Sequence, residues 1–249
     1  MLSHATADAL HAFVCDENRR AQAEVLAGSV PFEARFGGVN CRGLSGSPFG
    51  YRQDLFLPMT APLVEAATRE VAASLAPMLV PLVGRDAMLH ELSSLVAEPR
   101  SPRQCLHADT IVLPCPQFPD ASMEPLYTFF VALQDVEDGM GHTQFLPQTH
   151  TAQAHGLWNA AGKSERLKDA FITAQPAVQS RLRKGDVAIF DSRVLHCGCS
   201  NDSAKRRILF YFTLSRGQRW PLPDGLHGSN SVRAEDRWRW RLCDLGLAA

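Results

Sequence analysis

Two stretches of this sequence decide how its fold and chemistry are interpreted: Gln104-Cys105-Leu106-His107-Ala108-Asp109-Thr110 and Lys184-Gly185-Asp186-Val187-Ala188-Ile189-Phe190-Asp191-Ser192-Arg193-Val194-Leu195-His196. If the first stretch is extended, His107 and Asp109 stand two residues apart, so their side chains leave the same face of the strand. A second imidazole from His196 would complete a set of two histidines and one carboxylate. Such a set binds one side of a metal ion and leaves other positions open, as in non-haem Fe(II) oxygenases. The sequence therefore predicts a metal site.

The context of the two stretches supports this prediction more than the His-x-Asp triplet does alone. A lone triplet of this kind is weak evidence in a chain with nine histidines. Here an apolar run follows Asp109 at once, and His196 comes directly after a run that is typical of a strand. The competing interpretation of His196 is a core histidine that is hydrogen-bonded to backbone.

The length and composition of the chain limit the classes of function that it can have. The 249 residues fit one domain with a large core, and the formal net charge of -1 offers no basic field to a nucleic-acid partner. We find no run of about 18 apolar residues and no basic segment followed by an apolar leader, so we expect a cytoplasmic protein outside the membrane. The seven cysteines lack paired spacing and are expected to be free thiols.

The order of patterns along the chain predicts helices first and strands afterwards. Apolar residues at helical spacing indicate helices at residues 6–26 and 62–82, and a further helical insertion at 160–174. Short runs rich in β-branched and aromatic residues indicate strands at residues 87–97, 111–113, 126–136, 143–146, 177–182, 187–190 and 207–214.

This order favours a mainly β (α+β) protein, a jelly-roll barrel with its N-terminal helices packed outside. We treat residues 1–249 as one domain with three parts. These are a helical and loop-rich N-terminal part (1–85), a barrel core (86–215) and a C-terminal tail (216–249).

Three further expectations concern the N-terminal part. Thr60 is expected to cap the second helix, and Pro77 is expected to kink it or end it early. The polar residues 51–54 are expected in a solvated loop, or else in a lid that brings Arg52 or Gln53 to a substrate.

Four motifs, in order, resemble those of a known enzyme family. They are residues 104–110, residues 131–136 leading to Gly141, Phe145-Leu146-Pro147-Gln148-Thr149-His150, and Lys184 through His196 and Asn201-Asp202-Ser203 to Arg207. Together they resemble the phytanoyl-CoA dioxygenase family of Fe(II)/2-oxoglutarate-dependent oxygenases, over roughly residues 86–215. The family's Pro-Gly-Ser-His turn occurs here without its glycine. The resemblance implies a double-stranded β-helix (cupin-like) core.

The resemblance also implies roles for individual residues. His107, Asp109 and His196 match the iron ligands, and Arg207 matches the arginine that pairs with the distal carboxylate of 2-oxoglutarate. Arg206 is the open alternative, because strand alternation puts the two arginines on opposite faces and does not say which face is interior. Gln104 matches a position where relatives often have a polar residue that contacts cosubstrate or substrate, and Phe130 matches a position that resembles a pocket-lining aromatic in the cofactor site. Plain packing is the other interpretation of both.

The implied function is an oxygenase that hydroxylates or otherwise oxidises a small-molecule substrate while 2-oxoglutarate is decarboxylated to succinate. It would use Fe(II), 2-oxoglutarate and O2, with ascorbate as the in vitro reductant. Asp109 favours hydroxylation over halogenation, since halogenating relatives lack this carboxylate.

Two alternatives stay open at this point. One is a cupin-like metal-dependent enzyme that does not use 2-oxoglutarate, against which Arg207 argues. The other is a non-catalytic barrel that acts as a binding module. The sequence specifies neither the substrate nor the oligomeric state, because one fold hosts many functions. The segments expected to select the substrate are residues 37–59, 115–124, 155–163 and 220–233.

Overall fold

The computed structural model describes residues 1–38, 49–116, 118–120, 124–162, 164–216, 231–237 and 239–246. Parts of the expected substrate-selecting segments therefore lie outside the described residues: 39–48, 117, 121–123, 163 and 220–230. The helices are α1 (His4–Leu26), α2 (Pro62–Val83), α3 (Ala152–Ala161) and α4 (Glu165–Thr173), with 3-10 turns at Phe32–Ala34 and Leu242–Leu245. The strands are β1 (Arg52–Phe56), β2 (Met88–Ala97), β3 (Leu126–Ala132), β4 (Thr143–Phe145), β5 (Val178–Gln179), β6 (Val187–Asp191), β7 (His196–Gly198) and β8 (Arg207–Ser215).

The strands form two antiparallel sheets. The larger sheet has five strands in the order β1-β2-β8-β3-β6, and the smaller has three in the order β5-β4-β7. Strand β1 belongs to the N-terminal part of the sequence, yet it pairs with β2 at the edge of the larger sheet. Helices before the core and short antiparallel strands within it agree with the prediction. The division of the domain at residues 85 and 215 stays a prediction.

The two faces of β8 pack against different parts of the molecule. Ile208, Phe210 and Phe212 enter the main hydrophobic core together with apolar residues of α1 and α2. Leu209 and Tyr211 point the other way, into a second cluster. The helices therefore cover the outer face of the larger sheet, and its inner face is left to line a cavity.

Helix α2 differs from its prediction at both ends. Its N-cap is Ala61, whose side chain makes no capping bond, and Thr60 does not serve as the cap. The helix also runs through Pro77 and Pro81 to Val83. Both prolines lie on the exposed side, where water can satisfy the carbonyl groups that lose a partner. Because the buried side of the helix continues into the core at Val83, packing maintains the helix past both prolines.

The same helix has the length and composition of a membrane-spanning helix, with 22 residues and a mean hydropathy of 1.2 in its most apolar window. The core helix of a folded domain has the same properties. Here Val64, Val71 and Leu79 are fully buried in the main core.

Residues 51–54 form neither a solvated loop nor a lid. From Arg52 onwards they belong to β1, whose five residues are all buried. Gln53 accepts hydrogen bonds from the amides of Asn18 (2.7 Å) and Gln22 (2.9 Å) on α1, so it faces the helix and not a substrate. Polar side chains can occupy a buried strand here because each finds a partner from a distant element.

Two other predicted elements have a different form. No strand forms at residues 111–113, where Pro114 and Pro116 follow and neither can donate to a ladder. The helical insertion predicted at 160–174 is two helices, α3 and α4, separated at Gly162, whose φ of +52° ends the first.

The turn that lacks the family's glycine has nevertheless kept a left-handed residue. Gln148 has a φ of +67° in the turn that follows β4. The Thr149 hydroxyl fixes this turn, because it donates to the Leu146 carbonyl (2.7 Å) and accepts from the Leu195 amide (2.8 Å). The turn is thus tied directly to the residue before His196.

Candidate metal centre

The stretch that carries His107 and Asp109 pairs with β7 through its backbone. His107 and His196 exchange two hydrogen bonds, from the His107 amide to the His196 carbonyl (3.0 Å) and in reverse (2.8 Å). The Gln104 amide donates to the Gly198 carbonyl and the Asp109 amide to the Ser192 carbonyl, both at 2.9 Å. The expected strand is thus only an isolated β-bridge. It nevertheless aligns the two distant stretches.

The three predicted ligand side chains converge. The Asp109 carboxylate oxygen Oδ1 lies 3.8 Å from Nε2 of His107 and 3.6 Å from Nε2 of His196. All three donor atoms lie within 4.8 Å of one another. Two nitrogens and one carboxylate oxygen in this arrangement are a donor set that suits Fe(II).

Backbone carbonyls fix both imidazole rings in the orientation that a metal requires. Nδ1 of His107 lies 2.8 Å from the Cys105 carbonyl, and Nδ1 of His196 lies 2.9 Å from the Val194 carbonyl. Since a carbonyl only accepts, Nδ1 carries the proton in each ring and Nε2 keeps its lone pair. Each Nε2 is therefore a ready metal ligand that faces Asp109.

His196 is the more enclosed of the two imidazoles. Its side chain is 4% exposed, against 23% for His107. Burial lowers the pKa of His196, although the nearby Asp109 carboxylate opposes this change. The rings of Phe190 and Phe145 pack beside it, with centroids 4.9 and 5.7 Å from the imidazole. These contacts favour the neutral imidazole, which is the form that binds a metal.

A cavity of about 170 Å³ lies between the two sheets and opens onto these donor atoms. This space is large enough to admit small organic molecules. Residues from both sheets line it: Gly38, Asp54, Glu91, Leu95, Gln104, His107, Ala108, Asp109, Thr128, Phe130, Thr143, His196, Gly198, Arg207 and Tyr211.

Arg207 faces this cavity, and Arg206 does not. Arg207 is 3% exposed, and its Nη1 donates to the Gly141 carbonyl. Its Nε is buried and finds no acceptor in the described part of the chain. Burial, assisted by the positive field of Arg52, lowers the pKa of Arg207 to about 9. A buried cation with an unused N–H needs an anion, and a carboxylate matches the shape of its guanidinium.

Arg206 lies on the opposite face of β8. Its guanidinium pairs with the Glu98 carboxylate at 2.6 Å and is partly exposed. It thus already has a carboxylate partner outside the cavity.

Gln104 and Phe130 both line the cavity. The side-chain carbonyl of Gln104 accepts a hydrogen bond from the Gly198 amide at 2.9 Å. The ring of Phe130 packs against Phe190 and Tyr211, with centroids 4.9 and 5.7 Å away. A Cβ atom at Gly198 would lie 2.7 Å from the Gln104 side-chain oxygen and 2.8 Å from Nη1 of Arg52, so a larger residue there would displace these two side chains.

The sequence analysis missed two cavity residues, Asp54 on β1 and Glu91 on β2. Burial raises the pKa of Asp54 to about 6 and that of Glu91 to about 8. The signal that could have identified Asp54 is the alternation of residues 52, 54 and 56, which share one face of β1. The prediction of a loop in this region concealed that alternation.

Comparison with known proteins agrees with this geometry. The sequence model of the family described as phytanoyl-CoA dioxygenase (PhyH) matches residues 4–209. The chain belongs to the phytanoyl-CoA dioxygenase family. No curated protein matches the chain by sequence.

Several solved structures resemble the chain of this phytanoyl-CoA dioxygenase family member in fold. AviO1 from Streptomyces viridochromogenes Tue57 has a TM-score of 0.56 and 18% identity, over 85% of this chain and 86% of its own. The non-haem α-ketoglutarate-dependent carbocyclase SnoK from nogalamycin biosynthesis has a TM-score of 0.57 and 21% identity, over 94% and 87%. HygX from Streptomyces hygroscopicus, solved with nickel and 2-oxoglutarate bound, has a TM-score of 0.52 and 18% identity, over 87% and 91%. These neighbours confirm the predicted cupin-like double-stranded β-helix.

Family membership identifies the class of enzyme. The protein is a non-haem Fe(II)- and 2-oxoglutarate-dependent oxygenase, as the sequence predicted, and it uses Fe(II), 2-oxoglutarate and O2. Its own residues suit these groups, since two oriented imidazoles and a carboxylate converge beside a buried guanidinium that lacks an acceptor for Nε.

Proposed function

We propose that this protein oxidises a C–H bond of a small-molecule substrate in the cytoplasm, with His107, Asp109 and His196 as the iron ligands. In the same proposal Arg207 binds the distal carboxylate of 2-oxoglutarate, and Gln104 and Phe130 line the cosubstrate site. The observation that supports it most strongly is that three donor atoms within 4.8 Å of one another share a cavity with a buried arginine.

Each residue has a distinct task in this proposal. The Cys105 and Val194 carbonyls hold the two imidazoles with Nε2 toward the metal, and Asp109 supplies the negative charge that favours a divalent cation. Arg207 orients the cosubstrate through its planar N–H groups. When bound there, Fe(II) and 2-oxoglutarate would supply the oxidising chemistry, in which O2 is consumed and the cosubstrate is decarboxylated to succinate and CO2. The ring of Phe130, which lines this space and packs against Phe190, limits the access of water to it.

Hydroxylation is the preferred outcome of the reaction. Asp109 lies 3.6 Å from His196 and so takes the third ligand position with a carboxylate. A halide would need that position to be vacant. Oxygen transfer, or another oxidation that begins at a C–H bond, is therefore favoured over halogenation.

The test of this proposal is anaerobic titration of 2-oxoglutarate into the Fe(II)-loaded protein, followed by the visible charge-transfer band of the chelate. Arg207→Ala is expected to weaken 2-oxoglutarate binding roughly 10- to 100-fold, because it removes charge-assisted hydrogen bonds to a buried carboxylate. Arg206→Ala is the matched control and should bind 2-oxoglutarate normally, since Arg206 pairs with Glu98 outside the cavity.

The same titration distinguishes the alternatives. A spectrum that stays flat at saturating 2-oxoglutarate would favour a metal enzyme of another type or a binding module. If Arg206→Ala weakens binding and Arg207→Ala does not, the anchor has been assigned to the wrong arginine.

A further inference from the structure

Two carboxyl groups line the cavity at a distance from Arg207. Asp54 is 4% exposed and Glu91 is 5% exposed, so both are nearly removed from solvent. Both belong to the inner face of the larger sheet, on β1 and β2. The iron ligands and the cosubstrate anchor of the proposed function do not include either of them.

Their position along β8 separates these carboxyls from Arg207. The Tyr211 hydroxyl donates to Asp54 (3.0 Å), and the Thr213 hydroxyl donates to Glu91 (2.6 Å). Glu91 pairs with Thr213, six residues beyond Arg207 on the same strand face, which corresponds to roughly 20 Å. Asp54 is level with Leu209 through Leu95, so it lies two residues beyond Arg207 along the sheet and two strands away from it. The cavity is therefore basic at one end and acidic toward the other.

The cavity is also built to hold a ligand. Arg207 is almost completely buried, and its Nε–H finds no acceptor among the described residues. An anion satisfies that end, and 2-oxoglutarate is an anion. The acidic wall does not suit the same molecule, because the Asp54 carboxylate would repel it and the Glu91 carboxyl offers it no positive charge.

Asp54 is held by hydroxyl groups. Its two oxygens accept from Tyr211 and Ser231, and no lysine or arginine in the described ranges forms an ion pair with it. A buried carboxylate without a cation is costly, and this cost raises the pKa of Asp54 to about 6. Buried carboxyl groups whose pKa is raised in a cavity are typical of ligand-binding and catalytic sites.

We infer that the substrate carries an ammonium group, which binds to Asp54 and Glu91 and presents a neighbouring C–H bond to the iron. This inference rests on the proposed function. A protonated amine supplies several hydrogen-bond donors and a positive charge, which Asp54 does not receive from the lysines and arginines of the described ranges. A substrate that is anionic in this region is disfavoured by the same two carboxyls.

The test compares three probes that share a cyclohexane ring on the Fe(II)- and 2-oxoglutarate-loaded full chain under anaerobic conditions. The probes are cyclohexylammonium, cyclohexanol and cyclohexanecarboxylate, and calorimetry measures the binding of each. The ammonium probe is expected to bind at least about tenfold more tightly than the alcohol, as for a hydrogen bond to a charged group, and the carboxylate probe least tightly. Equal affinities, or no binding by any of the three, would overturn the inference.

Variants link the preference to the two carboxyls. Asp54→Asn and Glu91→Gln should each reduce the preference for the ammonium probe about tenfold. Asp138→Asn, whose side chain is 77% exposed, is the matched control and should keep the preference. An unchanged preference in both cavity variants would contradict the inference, and the probe series on the unmodified protein decides the matter if a variant does not fold.

The chelate band in the same samples separates this inference from the proposed function. If the band is absent, the proposed function fails and the inference with it. If the band is present and the three probes bind alike, only the ammonium inference fails.

Discussion

Metal binding at this site depends on which ring nitrogen of His107 and of His196 carries the proton. In each candidate histidine, Nδ1–H donates a hydrogen bond to the carbonyl two residues before it. This carbonyl belongs to Cys105 for His107 and to Val194 for His196. This local contact repeats in both stretches and leaves both Nε2 lone pairs facing Asp109. Because backbone supplies the acceptors, no side-chain substitution removes them without moving the chain. The rings are therefore oriented before a metal binds.

Asp109 should be essential for holding the metal. In Asp109→Ala the candidate ligand set of His107, Asp109 and His196 loses its carboxylate, and we expect bound iron to fall from roughly one ion per chain to near zero after anaerobic loading and gel filtration. Asp138→Ala removes an exposed carboxylate and serves as the control. A full complement of iron in Asp109→Ala would refute the ligand assignment.

The turn before β4 positions Arg207 from a separate element. Gly141 has a φ of +73°, and its carbonyl accepts from Arg207 Nη1. A Cβ atom there would lie 2.7 Å from the Cys199 carbonyl oxygen, so the backbone would have to move. Gly139, in the same turn, has a φ of +81° and no atom within 4 Å of such a Cβ. An alanine at Gly139 would therefore cause backbone strain alone, whereas an alanine at Gly141 would cause backbone strain and a steric clash.

Gly141→Ala should therefore lower both the free energy of unfolding and the affinity for 2-oxoglutarate more than Gly139→Ala does. Gly139→Ala should lower the free energy of unfolding by about 1–2 kcal/mol, the cost of a left-handed residue, and leave 2-oxoglutarate binding intact. Gly141→Ala should lower the free energy further and also weaken 2-oxoglutarate binding, since the displaced carbonyl no longer holds Arg207. Urea unfolding and cosubstrate titration measure the two effects, and identical behaviour of both variants would count against a positioning role for this turn.

Strand β8 shows how far sequence could determine the site. Alternation correctly grouped Arg207 with Leu209 and Tyr211, but all nine residues of β8 are buried. A strand covered on both faces carries no sequence signal for which face is the interior. Only the packing of the N-terminal helices on Phe210 and its neighbours shows that Arg207 faces the cavity.

The structure of strand β1 could not be predicted from the sequence alone. Its Arg52, Gln53 and Asp54 indicate a solvated loop when they are considered locally, since charged residues are seldom buried without partners. The partners are far away in the chain: Tyr211 donates to Asp54, and Asn18 donates to Gln53. The motifs and the family resemblance predicted the three candidate ligands and Arg207, whereas the acidic wall of the cavity depends on tertiary pairing that one sequence does not display.

Across the whole molecule, the buried carboxyls should make folding stability depend on pH. Burial raises the pKa of Glu91 from 4.5 to about 8, so in the folded metal-free protein this carboxyl keeps its proton where the unfolded chain has released it. The folded state then binds more protons between these two values, and the free energy of unfolding falls as pH rises through that range. Asp54, raised to about 6, acts in the same direction over a narrower range.

Glu91→Gln should remove most of this dependence. A glutamine cannot ionise, and its side-chain oxygen can still accept from the Thr213 hydroxyl, which now donates to Glu91 at 2.6 Å. Between pH 5 and pH 8 we expect the free energy of unfolding of the unmodified metal-free protein to fall by a few kcal/mol more than that of Glu91→Gln, at about 1.4 kcal/mol for each unit of pKa difference. Urea unfolding at both pH values gives this difference, and Glu137→Gln, exposed on the surface, is the matched control. Parallel pH profiles for the unmodified protein and Glu91→Gln would mean that the Glu91 carboxyl ionises at the same pH in the folded and unfolded chain, and its burial in the cavity wall would then have no energetic consequence.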